Sequence, residues 1–332
     1  MTDMVVTGLG IVVPGVAKPT QALDPVPAHS PGWFDVAAAL PGRGYRWLPP
    51  ACQYLLAAAR SALEDAGDPL AGLPVERRGV VVGTNNASMA LMDRMDRTII
   101  DADAAELSPL SAPFFAMSLF ASRLSTEHRI CGFNLTVNTP RTAGLDALQV
   151  GARALAAGRA ELLVAGATEE VLPAGEPGRQ AGDVGAAVLV CEPLARVAER
   201  GATGYGVVRT RAAFLVPGAA GVPVSPVDVS PVDVSTMDSS WAEVCGAESP
   251  SVEAVLDDSP VGAAVQSWLA AQRAAVTFTT ARAGCLTPLR RLVGLLATGA
   301  VDRVVLTAGA EGNVALTRLR PCAANTRDPA GS

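Results

Sequence analysis

Apolar and polar positions alternate through Phe133, Leu135 and Val137, a period of two that predicts a β-strand. From Leu145 the spacing changes: Leu145, Leu148, Ala152 and Leu155 recur at helical intervals, and Gly158 closes the run. The residues between, Asn138 to Gly144, therefore form a strand-to-helix elbow, a turn that normally presents a nucleophile. A second amphipathic stretch runs from Leu286 to Thr298. Two stretches lack periodicity. Ala17 to Ala28, rich in proline and polar residues, is expected to be an exposed excursion. Val216 to Ser235 holds a near-repeat, Ser225-Pro-Val-Asp-Val-Ser230-Pro-Val-Asp-Val-Ser235, whose prolines favour extended or turn backbone and which reads as a slip in a tolerant loop. The tail beyond Arg320 is expected to fray.

The chain has 332 residues, 49% of them hydrophobic and 17% charged, enough apolar material for a large buried core. Its net charge of −6 and 4% aromatic content, without basic clusters, argue against a nucleic-acid partner. Basic charge is almost all arginine, with Lys18 the single lysine, which together with the alanine and glycine content points to a high-GC genome. No membrane-length apolar run and no signal-peptide pattern are present, so the expected location is the cytoplasm. Cys52, Cys131, Cys191, Cys245, Cys285 and Cys322 lack paired spacing and neighbouring histidines. They are expected to be reduced core thiols, with no metal site, although Cys245 and Cys285 could approach each other in the fold.

At the elbow the chemistry is unusual. The residues are Val137-Asn138-Thr139-Pro140-Arg141-Thr142-Ala143-Gly144, so a cation stands where a nucleophile is expected. A cation in the first turn of a helix costs about 0.3–1 kcal/mol against the helix dipole, so something should compensate it. A surface arginine would simply reach solvent. At this elbow the side chain is expected to point inward or toward a subunit partner, while Pro140 stiffens the turn and removes one donor.

The elbow resembles that of the β-ketoacyl synthase family, whose motif runs roughly Thr-Ala-Cys-x-x-Gly before the same helix; Arg141 falls on the cysteine. The resemblance covers most of the chain. It includes Val5-Val6-Thr7-Gly8-Leu9-Gly10-Ile11-Val12, Ala59 to Gly67, Gly79-Val80-Val81-Val82-Gly83-Thr84, Leu162 to Glu169 and Gly185 to Glu192. Each phrase alone is common in α/β proteins; their order is specific. It implies a thiolase-like five-layer α-β-α-β-α fold of two similar halves, residues 1–192 and a shortened 193–322, followed by a disordered tail at 323–332. Family members are usually longer, which implies trimming around Pro14 to Arg46 and Gly201 to Ser240.

Condensation in the family uses the cysteine thiolate and two downstream histidines. Here the only histidines, His29 and His128, both precede Arg141. The approach Ser230-Pro-Val-Asp-Val234 places the first vacated histidine at Ser240, and a shifted register at Cys245. In the second motif the lysine has become Thr280 and the histidine Cys285. The glycine turn of the oxyanion hole reads Ala308-Gly309-Ala310-Glu311-Gly312-Asn313, and a glutamate beside a developing enolate would repel it.

A family member without the cysteine that accompanies an active paralogue is a chain-length factor, the ketosynthase β subunit of type II polyketide synthases. The resemblance thus implies a non-catalytic subunit paired with an active ketosynthase α subunit, needing no cofactor, with acyl carrier protein engaged mainly through the partner. Such subunits usually carry glutamine at the cysteine position, so Arg141 marks a divergent branch. Ile130 to Thr139 would be the docking strand, with Phe133, Asn138, Thr139, Pro140 and Arg141 at the interface. Phe114, Phe115, Met117 and Phe120 lie where the family lines its acyl tunnel; core packing is the plainer reading of each, and at least one is expected to face the channel. Two other classes stay open. One is acyl transfer with Ser240 or a cysteine as nucleophile and Glu243 or Glu311 as base. The other is a homodimer that binds acyl thioesters without turnover.

Overall fold

The computed structural model describes residues 3–27, 30, 32–114, 116–176, 179, 182–216, 232–272, 274–300 and 302–322. Its elements in chain order are β1 (Met4–Val12), α1 (Val36–Ala39), α2 (Pro50–Asp65), β2 (Arg78–Gly83), α3 (Met89–Asp101), α4 (Leu119–His128), β3 (Asn134–Val137) and α5 (Ala143–Ala156). They continue with β4 (Leu162–Glu169), β5 (Gly185–Glu192), α6 (Leu194–Arg200), β6 (Gly206–Phe214), α7 (Ser235–Cys245) and β7 (Ser251–Leu256). The last are α8 (Pro260–Ala271), β8 (Val276–Thr280), α9 (Leu286–Ala297), β9 (Arg303–Ala308) and β10 (Asn313–Arg320). The strands order as β3-β2-β4-β5-β1-β6-β10-β9-β7-β8. Read outward from the centre, each side repeats the other, β1–β5 mirrored by β6–β10.

Hydrophobic content explains the layering. β4 and β5 are buried at every position, as strands covered on both faces must be. One outer face is closed by α2 and α4, whose Leu55, Leu56, Phe120 and Leu124 pack with Val80, Val82, Val164 and Val188. The opposite outer face is closed by α7 and α8, through Met237, Trp241, Val265 and Trp268 against Val252, Leu306 and Leu316. Between the sheet halves lie α5 and α9, whose Leu145, Leu148, Leu289 and Leu292 join residues of both halves in one central core. This gives five layers, α-β-α-β-α. Approach is closest at β1, where a Cβ added to Gly8 or Gly10 would come 2.1 Å from the Ala62 carbonyl oxygen or 1.9 Å from that of Ala58. These positions exclude any side chain.

The proline-rich stretch at 17–28 is tied down over its described part. Arg290 donates to the Ala22 and Asp24 carbonyls, Arg291 to Leu23 and Arg282 to Val26. Irregular backbone cannot pair with itself, and three arginines on or just before α9 take up its acceptors. His29, residues 217–231 with most of the near-repeat, and the tail at 323–332 lie outside the described residues. Among the described residues, no helix is long and apolar enough to cross a membrane.

Candidate functional site

β3 runs parallel to β2 and delivers the chain to the elbow, where Arg141 takes the left-handed conformation at φ +59°. A long side chain there is strained by sterics and persists only where the surroundings hold it. The Thr142 amide donates to the Pro140 carbonyl at 2.7 Å, and the Thr142 hydroxyl to Asp146 at 2.7 Å, closing the first turn of α5. Burial pushes the Asp146 carboxyl above its ordinary range, against the pull of the Thr139 and Thr142 hydroxyls.

The Arg141 side chain turns inward. Its Nε lies 2.8 Å from Asp257 Oδ2, and its Nη1 donates to the Arg282 carbonyl at 2.6 Å. Asp257 follows β7 immediately; its side chain is only 8% exposed and also accepts from the Ser259 amide at 3.1 Å. Arg141 keeps 25% of its side-chain exposure. The carboxylate supplies the compensation that the helix dipole denies. Sequence reasoning missed Asp257. Its signal was the apolar run Val252–Leu256 broken by Asp257-Asp258-Ser259-Pro260, a helix-start pattern that places an acid at the end of a core strand. A Cβ on Gly309 would lie 3.5 Å from Arg141 Cγ and 2.9 Å from Glu311 Oε2, so the β9–β10 turn also reaches the elbow.

The structure brings Cys285 close to the elbow. A Cβ on Gly144, at the start of α5, would lie 2.9 Å from the Cys285 carbonyl oxygen. Cys285 is fully buried, and burial with the neighbouring Glu169 carboxyl drives its thiol well above the ordinary value. That is the opposite of what activates a nucleophile. Ser240 and Cys245 are not brought to the elbow: both are 2% exposed on α7, which packs against β6 and β10, while Asp257 meets Arg141. Counting toward them through the proline-rich repeat led away from β7, the strand that ends at the site. Thr280 ends the edge strand β8 and is exposed. Glu243 sits on α7 and pairs with Arg211 at 3.3 Å, so of the two candidate bases only Glu311 is near the elbow. His128, at the end of α4, is held below its ordinary value by burial.

Two adjacent carboxyls end β4. Glu169, with no exposure, accepts the Asn85, Asn86 and Cys285 amides at 2.8, 2.7 and 2.9 Å. Desolvation outweighs these bonds and pushes it from 4.5 to about 7. Because the folded value is the higher one, the stabilisation is complete below about pH 4.5 and is lost as pH rises through about 7. Urea midpoints of the wild type should therefore fall between pH 5.5 and pH 8, and Glu169→Gln should flatten that fall by on the order of 1–3 kcal/mol. Parallel slopes would contradict this assignment. Glu170, 4% exposed, is likewise pushed to about 7 by burial.

Among the aromatic candidates, Phe120 is fully buried with Leu124 in the outer core. Phe114 and Met117 are partly buried against that core, and Phe133 against the central one. Phe115 lies outside the described residues. Asn138, Thr139 and Pro140 occupy the turn itself. β3 pairs only with β2 among the described strands, and its Leu135 is 40% exposed. Next in sequence to β2, α3 buries none of its residues and exposes Met92, Ile99 and Ile100. Among the described residues there is no group of three or more potential metal ligands.

The family profile described as "Beta-ketoacyl synthase, N-terminal domain" matches residues 36–181. The 3-oxoacyl-[acyl-carrier-protein] synthase 2 of Vibrio cholerae is 30% identical over 118 residues, 36% of this chain and 28% of that protein. The corresponding synthase of Rhizobium meliloti is 30% identical over 141 residues, 42% of this chain and 34% of that protein. The matched stretch thus spans about a third or less of these relatives' length. Over the whole fold, a type II polyketide synthase ketosynthase, in complex with its acyl-carrier protein and bound to a hexaketide, superposes with TM-score 0.73 at 18% identity. That superposition covers 97% of this chain and 99% of the other. The ishigamide ketosynthase/chain length factor gives TM-score 0.72 at 21% identity, over 97% and 99% of the two chains. The chain therefore has the thiolase-like ketosynthase fold, and its residues 36–181 are similar to the N-terminal domain of the β-ketoacyl synthases.

Proposed function

We propose that this chain is a non-catalytic subunit that pairs with an active ketosynthase and helps to shape its acyl chamber, in the manner of a chain-length factor of a type II polyketide synthase. The observation that carries this reading is the elbow: an arginine at the nucleophile position, neutralised by Asp257, with no imidazole anywhere downstream. An arginine held in an ion pair offers neither a nucleophile to attack a thioester nor a donor free to hold an enolate. The edge strand β3, with its exposed Leu135, is where we place the partner. An exposed β-rich edge is unstable as a free surface and asks for a second strand. Acyl carrier protein would then engage mainly through that partner, and the complex would work in the cytoplasm.

Acyl transfer through a reassigned nucleophile is less well supported. Cys285, Cys245 and Ser240 are all buried, and both thiols are raised by burial, Cys245 to about 12. Co-expression with a ketosynthase that retains its cysteine and histidines, encoded beside this gene, tests the proposal. A stable 1:1 complex is expected, lost on Leu135→Arg while the variant stays folded. The isolated chain should not elongate a malonyl-loaded carrier. Elongation by the chain alone, or a self-dimer that ignores the ketosynthase, would overturn the reading.

A further inference from the structure

A cleft of about 310 Å³ lies between the start of α2, the first turns of α3 and the segment that follows β4. Tyr54, Val171, Leu172 and Pro173 give it apolar walls, and Glu170 lies among them. Glu170 is 4% exposed, and its one hydrogen bond among the described residues is a long one, from the Ala51 amide at 3.4 Å. A carboxyl so deeply buried and so poorly matched carries an unpaid desolvation cost of about 1–3 kcal/mol, which a ligand donor would recover. The mouth has a different character. Asp93 is held by Arg97 at 2.9 Å, and Arg94 and Arg179 also line the cleft, the Arg94 charge acting on Glu170 and Arg179 donating to the Leu172 carbonyl at 2.8 Å. Two guanidiniums disfavour a cationic ligand and favour an anionic outer end; the inner end must then be a neutral donor.

We propose that this cleft is a ligand site for a medium-length hydroxy acid, its hydroxyl donating to Glu170 and its carboxylate, or the acidic head that replaces it, lying against Arg94. The volume suits a chain of about ten heavy atoms, at the low end of small-molecule pockets. A site built to hydrogen-bond a hydroxyl rejects the analogue that lacks it, because the buried partner is left unpaired. This reading does not require a second subunit, so it stands or falls separately from the one above.

The test is titration calorimetry of the full chain with ω-hydroxyoctanoate, octanoate and ω-methoxyoctanoate at about pH 8.5, above the value of about 7 to which Glu170 is pushed, so that its carboxylate can only accept. The hydroxy acid should bind about tenfold or more tightly than octanoate, and the methoxy acid, which has no proton to donate, should bind no better than octanoate. Glu170→Leu should erase the preference, and Arg94→Ala should weaken both acids by a similar factor. Equal binding of octanoate and its hydroxy derivative, a methoxy acid that matches the hydroxy acid, or no binding of any of the three would overturn the assignment. Because the three-ligand comparison uses the wild type, the result stands even if Glu170→Leu does not fold.

Discussion

Replacing Asp257 by alanine is expected to lower the free energy of unfolding by about 2–3 kcal/mol. Breaking a fully buried ion pair from one side costs about 3–5 kcal/mol, and the quarter exposure of Arg141 lets water recover part of that. The loss is large because Arg141 has poor alternatives. It stands at the positive end of α5, in a left-handed conformation, and its remaining described bond is to the Arg282 carbonyl. The double variant Asp257→Ala with Arg141→Gly should regain about 1 kcal/mol or more, since glycine accepts φ +59° without strain and leaves no charge behind. Urea unfolding of the two variants measures this. A single variant within about 0.5 kcal/mol of the wild type would show that the pair is only a surface contact.

Phe120→Ala should cost more, about 3–5 kcal/mol, because the ring is fully buried among close-packed leucines and valines that cannot collapse into the space. Phe114→Ala and Met117→Ala, at partly buried positions on the same core, should cost clearly less. If Phe120→Ala left stability nearly unchanged, the side chain would be lining a space rather than filling one.

Much of the architecture was legible because periodicity survives divergence. The alternation through Phe133, Leu135 and Val137 and the helical spacing after Leu145 located β3, the elbow and α5, and the phrases around Gly8, Gly83 and Leu162 located the strands that flank them. The other side of the site was not legible. Asp257 lies more than a hundred residues from Arg141, and only the parallel pairing of β7 with β9 brings it across. A tertiary ion pair leaves no periodic trace. The arginine clamp on residues 22–26 was hidden for a related reason: proline-rich composition predicts irregular backbone, but which distant donors satisfy its carbonyls is a question of packing.

The mirrored strand order has one more consequence. The two sheet halves meet edge to edge over only three residue pairs, Met4 to Val6 against Val208 to Gly206, whereas α5 and α9 bury leucines among residues of both. Similar halves are therefore not independent folding units. Cut after Glu192, the polypeptide would yield one fragment holding α5 and another holding α9, each displaying the greasy flank that its lost sibling once covered.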